Sequence, residues 1–460
     1  MTHLKSHLRR ARAVLSIGAA AILSSSTFAA ESSLDPKLRD ESVLSIAKLL
    51  QDRYALEAVG NHYAAVLRSN LLAGRYSAIT DGKSLAQRVT ADLQAAHKDR
   101  HLGVRFSPEV LPPQQQNWGP TPEQRTQMLA HERRTNAGFD KLEILPGNVG
   151  YISFTYFGDP DVGAPKIAAA MQFVSDTSAL IIDLRRNGGA THLALMDLLT
   201  RYLVEDSKIV TAKTTWRGEA PDFIKNPLVL PVTAPRYLDK PVYILTSEST
   251  FSGAEGFTYN LQAMKRVTIV GERTGGGANP GGELRACDHF AVWVPAGIVE
   301  HPITKTNWEG VGIIPEIEVD VDQALTRAHL AALENSAQQP VNDSRWKKHL
   351  EDQKAKLTKQ LAERPPTRSV EFQLAGYPDA TKVTVYGSFN NWSGKKSSMT
   401  RQGDTWKATL DLPLGRHSYK FRIDDEWITD PKNPATEIKD GYTNSIVEVL
   451  ADSKAANSNS

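Results

Sequence analysis

The chain has 460 residues, of which 40% are hydrophobic, 23% charged and 7% aromatic. That composition excludes a collagen, a wholly disordered chain and a polytopic membrane protein, and at roughly 150 residues per domain it leaves room for about three domains. The lone Cys287 excludes an intramolecular disulfide framework. The formal charge of +2 rests on the first thirty residues. Lys5, Arg9, Arg10 and Arg12 form a basic start, an apolar run follows through Leu23, and Thr27, Ala29 and Ala30 offer an A-x-A-like cleavage site. This reads as a secretory signal peptide over 1–30, because the apolar run is too short to span a bilayer. Without it, 50 basic residues face 52 acidic ones, a net charge of −2. The expectation is a periplasmic or secreted protein with no membrane attachment after cleavage and no overall electrostatic case for nucleic acid.

From Leu38 to His97 the apolar spacing is helical. Val43, Ile46, Leu49 and Leu50 recur at intervals of three and four, and Leu56–Leu72 and Leu85–Ala96 repeat the pattern. Gly60, Gly74 and Gly82 are the expected breaks, so 31–98 reads as a small helical bundle. Residues 108–125 are rich in Pro and Gln and read as a loop or arm. From Leu145 strands alternate with helices: strands at Val149–Phe157, Ala179–Leu184, Val242–Leu245, Val267–Gly271 and Ala291–Val294, helices at Ile167–Val174, Leu193–Leu203 and Gly253–Met264. Lys208–Thr214 and Ile313–Val321 read as extended. This is an α/β pattern over 99–335. Residues 336–367 read as a charged linker helix stopped by Pro365-Pro366. Residues 368–452 carry short β runs between Gly, Asn, Asp and Pro clusters, the texture of a small sandwich, with a frayed tail at 453–460.

Two segments could carry chemistry. Thr250-Phe251-Ser252-Gly253-Ala254-Glu255 is a capping box on pattern alone, with Ser252 capping and Glu255 reciprocating. The same geometry also suits a nucleophilic serine at a strand-to-helix turn, with the helix N-terminus and the Gly253 amide placed to stabilise an oxyanion. Asn187-Gly188-Gly189 is either a plain turn or a second set of amides aimed into a cleft. A serine nucleophile needs a base, and His101 in Asp99-Arg100-His101-Leu102 is a candidate that no spacing rule ties to Ser252, because triads assemble in space. No metal-ligand spacing appears (Asp288-His289 and His301 are isolated), and no cofactor motif appears.

Taken together, Leu238 to Ser247, Thr250 to Glu255, Ile269-Val270-Gly271-Glu272 with Thr274 to Gly277, Asp183-Leu184-Arg185 with Asn187 to Gly189, and Trp308 to Gly312 resemble the tail-specific, or C-terminal processing, serine protease family. The likeness is greatest to its interphotoreceptor-retinoid-binding-protein-like branch and spans roughly 90–325. The resemblance implies a crotonase-like α/β protease core and hydrolysis of a peptide or protein substrate through an acyl-enzyme. It implies Ser252 as nucleophile, and Gly253 and Gly189, with Gly188 adjacent, as oxyanion donors. The best-known branch uses a Lys base in the glycine-rich loop. Here no Lys lies between Arg266 and Arg285, so the pattern is that of the tricorn-like branch, whose His and late Glu map to His101 and Glu309. Lys265 is a poor substitute. About forty residues separate His101 from Leu145, too few for the PDZ module that tethers substrate in many relatives.

The C-terminal part, with Val385 to Ser393, Tyr419-Lys420-Phe421, Asp425-Glu426-Trp427 and Thr443-Asn444-Ser445, resembles the glycogen-binding module of AMP-activated kinase beta subunits and branching enzymes. This implies an immunoglobulin-like β-sandwich and an α-glucan ligand, with Trp392, Trp427, Lys420 and Asn444 at the sugar-contacting positions. Aromatic faces bury sugar rings, while amides and amines bond the hydroxyls. The bland alternative makes Trp392 and Trp427 core residues of a reused fold, and Trp406 reads as core. The leading expectation is a secreted serine endopeptidase with Ser252, His101 and Glu309. The alternative is a non-catalytic hydrophobic-ligand or glycan binder on a protease-derived fold. A glycosidase would need facing carboxylates, and Asp424, Asp425 and Glu426 are contiguous.

Overall fold

The structure, a computed structural model, describes residues 34–113, 122–218, 227–337, 343–363, 366–378, 380–390, 392–394, 397–424, 426–439 and 442–450. The signal peptide expected at 1–30, the tail expected at 453–460 and Asp425 lie outside the described residues. Helix α1 (Pro36–Arg53) starts where Asp35 accepts from the Lys37 amide at 2.7 Å, with Pro36 in the first turn. Helix α2 (Glu57–Leu72) follows, then α3 (Gly82–Ala96), capped by Asp81 on the Ser84 amide. Gly74, at φ +71°, closes α2 as its residue type predicts. Gly60 does not break anything. It lies inside α2, where a Cβ would sit 2.6 Å from the Leu50 carbonyl oxygen, so glycine there permits the close α1–α2 approach. The helices do not complete a core by themselves. Val43, Ile46, Leu50, Tyr63, Leu67 and Val89 pack with Leu284, Phe290, Val292 and Val294 of a later hairpin.

Strand β1 (Gly103–Phe106) leads toward α4 (Pro122–Arg134); the loop or arm expected at 108–125 overlaps only the first turn of α4, and its residues 114–121 lie outside the described residues. The residues of α4 are nearly all polar, so no apolar period announces it. It is held by Arg125, which ion-pairs with Asp159 at 2.8 Å, and by the buried Glu132. The central chain then runs β2 (Phe139–Leu145), β3 (Val149–Phe154), α5 (Pro160–Val174), β4 (Ala179–Asp183), α6 (Leu193–Leu203), β5 (Lys213–Trp216), β6 (Val242–Thr246), α7 (Gly253–Ala263), β7 (Thr268–Gly271), β8 (Gly281–Arg285), β9 (Phe290–Pro295), β10 (Gly297–Glu300) and β11 (Ile317–Glu318). Helix α5 begins seven residues before the expected Ile167: Asp159 caps it with Pro160 at its first position, and Pro165 lies inside it at the loss of one ladder hydrogen bond. Of the extended stretch expected at 313–321, only β11 pairs.

The main sheet has order β11-β7-β6-β4-β3-β2, parallel throughout except for the β2 edge. Its inner strands β3, β4 and β6 are buried on both faces, so they read as continuous apolar runs. Leu180, Ile182, Val242 and Ile244 face α5, α6 and α7, while Ala179, Ile181, Tyr243 and Leu245 face the other layer. That layer is α8 (Ala324–Ser336) and α9 (Ser344–Ala362), whose Leu350 and Leu357 are buried. The charged helix at 344–362 therefore buttresses the sheet. A smaller antiparallel sheet, β1-β9-β8, lies under the N-terminal helices.

The C-terminal region is β-rich: β12 (Thr367–Ala375), β13 (Val383–Gly387), β14 (Thr400–Gln402), β15 (Thr405–Pro413), β16 (Gly415–Ile423), β17 (Glu426–Ile428), β18 (Thr436–Lys439) and β19 (Tyr442–Val449). They form antiparallel sheets β12-β15-β14 and β13-β16-β19-β18, with β17 on β16, around Phe372, Leu374, Val385, Trp406 and Phe421. Trp406 is a core residue.

Candidate active site

The carboxyl ends of adjacent parallel strands β4 and β6 deliver the two glycine-bearing turns to one place, where open α/β sheets put their ligand sites. Thr250 Oγ1 donates to the Leu184 carbonyl at 2.7 Å, Ser247 Oγ to the Arg185 carbonyl at 2.5 Å, and the Phe251 amide to the Asn187 carbonyl at 3.0 Å. Beneath them Asp183 holds the Arg185 guanidinium and accepts from the Tyr151 hydroxyl at 2.7 Å.

Ser252 is the N-cap of α7 with φ +51° and ψ −120°, a strained conformation for a residue with a Cβ. The turn is over-determined by Glu255, which is fully buried. Its carboxylate accepts from the Ser252 amide at 2.9 Å, the Thr274 hydroxyl at 2.5 Å, the Gly276 amide at 2.7 Å and the Gly277 amide at 2.8 Å. The capping-box reading of Ser252 and Glu255 is therefore correct as local structure. It is also incomplete, since Glu255 ties the serine turn to the glycine-rich loop. Burial pushes the Glu255 carboxyl up, and its four donors oppose that.

Gly189, at φ +133°, lies against Ser252, since a Cβ there would be 3.1 Å from Ser252 Cβ. The Gly189 amide donates to Asn187 Oδ1 at 3.0 Å, and the Gly188 amide to the Thr155 carbonyl at 3.1 Å. Among the described residues the Gly253 amide has no acceptor. Gly253 is tight against the backbone of Ala190, whose nitrogen would sit 2.8 Å from an added Cβ.

His101 stands on the other side of Phe251. Its ring stacks on Trp293 of β9 at 4.5 Å between centroids and 15° between planes, and meets Phe251 at 4.5 Å and 45°. Both ring nitrogens are buried without a polar partner, so neither Ser252 nor Glu309 hydrogen-bonds to His101 in this state. Burial pulls its pKa down to about 4, partly offset by the Asp99 charge and reinforced by Arg100, so the ring is neutral at pH 7. Gly277 is a glycine of necessity, because a Cβ would lie 2.7 Å from His101 Cε1 and closer still to Phe251. Glu309 reaches the same loop from beyond Trp308. Its Oε2 accepts from the Ala278 and Asn279 amides at 2.7 and 2.8 Å, and burial with the Asp99 charge pushes its pKa up to about 7. Trp308 Nε1 donates to the Gly277 carbonyl at 3.0 Å. Ser252, His101 and Glu309 thus converge on one loop. Lys265 is exposed at the far end of α7, at φ +55°.

On the C-terminal region Trp392 and Trp427 come together, with ring centroids 6.4 Å apart, and Tyr386 and Arg422 lie against Trp427. Lys420 Nζ sits 5.9 Å from the Tyr442 ring. Asn444 is buried rather than exposed beside them. Asp424 is occupied with the Thr381 and Lys382 amides, and Glu426 pairs with Lys83 of α3 at 2.7 Å. These carboxylates hold structure and do not face one another across a cleft. The aromatic face lies beside the serine turn, since Ser249 Oγ donates to the Trp392 carbonyl at 3.1 Å.

Family models match three segments. Residues 148–319 match peptidase family S41, residues 37–142 match the N-terminal domain of Peptidase_S41 in eukaryotic IRBP, and residues 370–455 match the glycogen recognition site of AMP-activated protein kinase. The chain is thus similar to peptidase family S41 over 148–319, and to that family's N-terminal domain over 37–142. A region similar to a peptidase family therefore adjoins one similar to a glycogen recognition site. Among curated relatives, the 5'-AMP-activated protein kinase subunit beta-1 of Sus scrofa is 44% identical over 68 residues, 15% of this chain and 54% of that one. Subunit beta-2 of Rattus norvegicus is 41% identical over 85 residues, 18% and 31% of the two chains. The chain thus spans about half the length of the first relative and less of the other. Among solved structures, a putative peptidase from Parabacteroides merdae ATCC 43184 is 18% identical at a TM-score of 0.45, covering 64% of this chain and 96% of that one. Mature CPAF is 14% identical at a TM-score of 0.43, covering 71% and 97%.

Sequence reasoning missed the reach of Glu255 and the setting of Asp99, which is buried against Tyr54. Both contacts join segments far apart in the chain. Only the Ser-x-x-Glu and Asp-x-His spacings hint at them.

Proposed function

We propose that the chain is a periplasmic or secreted serine endopeptidase that cleaves protein substrates through an acyl-enzyme, and that its C-terminal module holds an α-glucan beside the reaction site. The reading takes the peptidase core as crotonase-like and the module as an immunoglobulin-like sandwich. The carrying observation is the Ser252 turn: a strained N-cap serine beside the open Gly253 amide, facing a loop shared by His101 and Glu309. Ser252 Oγ attacks the scissile carbonyl while neutral His101 takes its proton. The Gly253 amide, with the Gly189 amide once it exchanges Asn187 for substrate, binds the oxyanion. His101 then protonates the leaving amine, and water repeats the sequence to release the acyl group. Glu309 orients His101 from the shared loop after small closing movements of the kind common between apo and substrate-bound states. The basic-then-apolar first thirty residues support export.

The contact between Ser249 and Trp392 supports a capture role for the module, which takes the place of a PDZ tether. A glucan stacked on Trp392 and Trp427 keeps any protein attached to it at high effective concentration near Ser252. The test is hydrolysis of fluorescein-labelled casein by the exported protein and by Ser252→Ala. Turnover by the wild type and none by the variant supports the reading. Equal rates contradict it.

A further inference from the structure

We propose that Asp99 is the positioning residue for His101: its carboxylate, anchored by Tyr54 of the N-terminal helices, fixes the base segment and supplies the negative charge that stabilises the imidazolium. This rests on the peptidase reading and adds a group to it. Asp99 is 2% exposed, and both of its oxygens are used. Oδ1 accepts from the His101 amide at 2.9 Å, and Oδ2 accepts from the Tyr54 hydroxyl at 2.6 Å. Tyr54 itself caps α1 and meets Tyr63 of α2 edge-on at 5.1 Å, while the Tyr63 hydroxyl donates to the His97 carbonyl at 2.9 Å. Gln94 of α3 closes the same turn by donating to the Leu102 carbonyl at 2.8 Å and accepting from the Asp99 amide at 3.2 Å. Each of the three helices therefore grips the 97–102 segment. This gives the IRBP-like N-terminal region a chemical task, which is to hold the base.

The charges around His101 single out Asp99. On its own segment are Asp99 and Arg100. The Arg100 guanidinium is drawn off over the Phe251 ring at 5.1 Å and to the Gly275 carbonyl at 3.1 Å. Behind Phe251 lies Glu255, saturated by four donors. Opposite Trp293 on β8 is Glu283, neutralised by Arg105. Glu309 is bound to two amides, and its proton affinity is itself raised by Asp99. Among these groups only the Asp99 charge favours the protonated ring. Developing positive charge on His101 is thus opposed by burial and supported from below by Asp99.

The test compares wild type, Asp99→Asn, Asp99→Glu and Tyr54→Phe as full chains, by the pH profile of peptide hydrolysis and by NMR titration of His101 and the Glu309 carboxyl. Asp99→Asn keeps an acceptor for the His101 amide but removes the charge. It should lower kcat on the order of 10- to 100-fold with KM within about twofold. Its acid limb should move to lower pH, and the Glu309 midpoint should fall below the wild-type value near 7. Asp99→Glu should restore part of kcat, and Tyr54→Phe, which keeps the charge, should cost less than Asp99→Asn. An Asp99→Asn variant that loses activity with unmoved acid limb and midpoint would show a merely structural Asp99 and overturn the proposal, as would full activity. If the wild type hydrolyses nothing, the titrations still decide: a moved midpoint sustains Asp99 while the peptidase reading fails.

Discussion

The nucleophile turn and the base segment are built on different plans. Around Ser252 the turn is tied down by polar contacts, Glu255 alone satisfying four donors, while among the described residues the Gly253 amide has no acceptor. Around His101 the ring has aromatic walls and no polar partner, and the hydrogen bonds run to its backbone. The first region is preorganised by polar saturation, the second by packing. Such a pairing keeps the His101 ring neutral and oriented, with both ring nitrogens buried and without a polar partner.

The largest expected effect is on chemistry. Ser252→Ala should reduce turnover by at least roughly 10⁴-fold, and His101→Ala nearly as much, because members of a catalytic unit fail together. Both variants should keep the wild-type circular-dichroism spectrum, with His101→Ala melting somewhat lower because it empties a packed aromatic slot. If His101→Ala is silent while Lys265→Ala is inactive, the contrast between the two regions loses its functional meaning.

Next comes stability at the saturated region. Glu255→Ala strands several buried donors and should cost about 3–5 kcal/mol, far more than Ser252→Ala. Chemical denaturation measures it, and a loss below about 1 kcal/mol would show that the network around the nucleophile is slack.

The Glu309 carboxyl gives a pH-dependent effect. Its folded pKa near 7 lies above the ordinary 4.5. Its contribution to stability is therefore fully present below pH 4.5 and lost as pH rises through 7. Glu309→Gln should raise the melting temperature at pH 8 and change it little at pH 4.5. A gain of equal size at both pH values would mean that the carboxyl is not penalised by burial.

A smaller effect belongs to the module. Trp392→Ala should release the protein from an amylopectin affinity gel while hydrolysis of a small soluble peptide stays within about twofold. Unchanged retention would place the glucan elsewhere.

The legible parts of the molecule were those with a local period or a local motif. The parallel strands read as apolar runs because both faces are covered, and the Ser252 turn is visible in six residues. Helix α4 was hidden by its polarity, and Gly60 was misread because a helix crossing, unlike a turn, leaves no mark in the neighbouring sequence. Ser252, His101 and Glu309 were named through family resemblance. What spacing could not give was that Glu255 grips the loop between them, that the Gly188 and Gly189 amides are engaged in this state, that Asn444 is buried, or that the serine loop touches Trp392. Apart from the Gly189 amide, which bonds back to Asn187 two residues away, these depend on contacts between segments distant in the chain.

The central claim is that Ser252 is an activated nucleophile served by His101. Incubating the full chain with a fluorophosphonate probe and locating the adduct by peptide mass spectrometry tests it most directly. A single adduct on Ser252, absent in Ser252→Ala and formed far more slowly in His101→Ala, is the predicted result. An unlabelled Ser252, or labelling at an undiminished rate without His101, would contradict it.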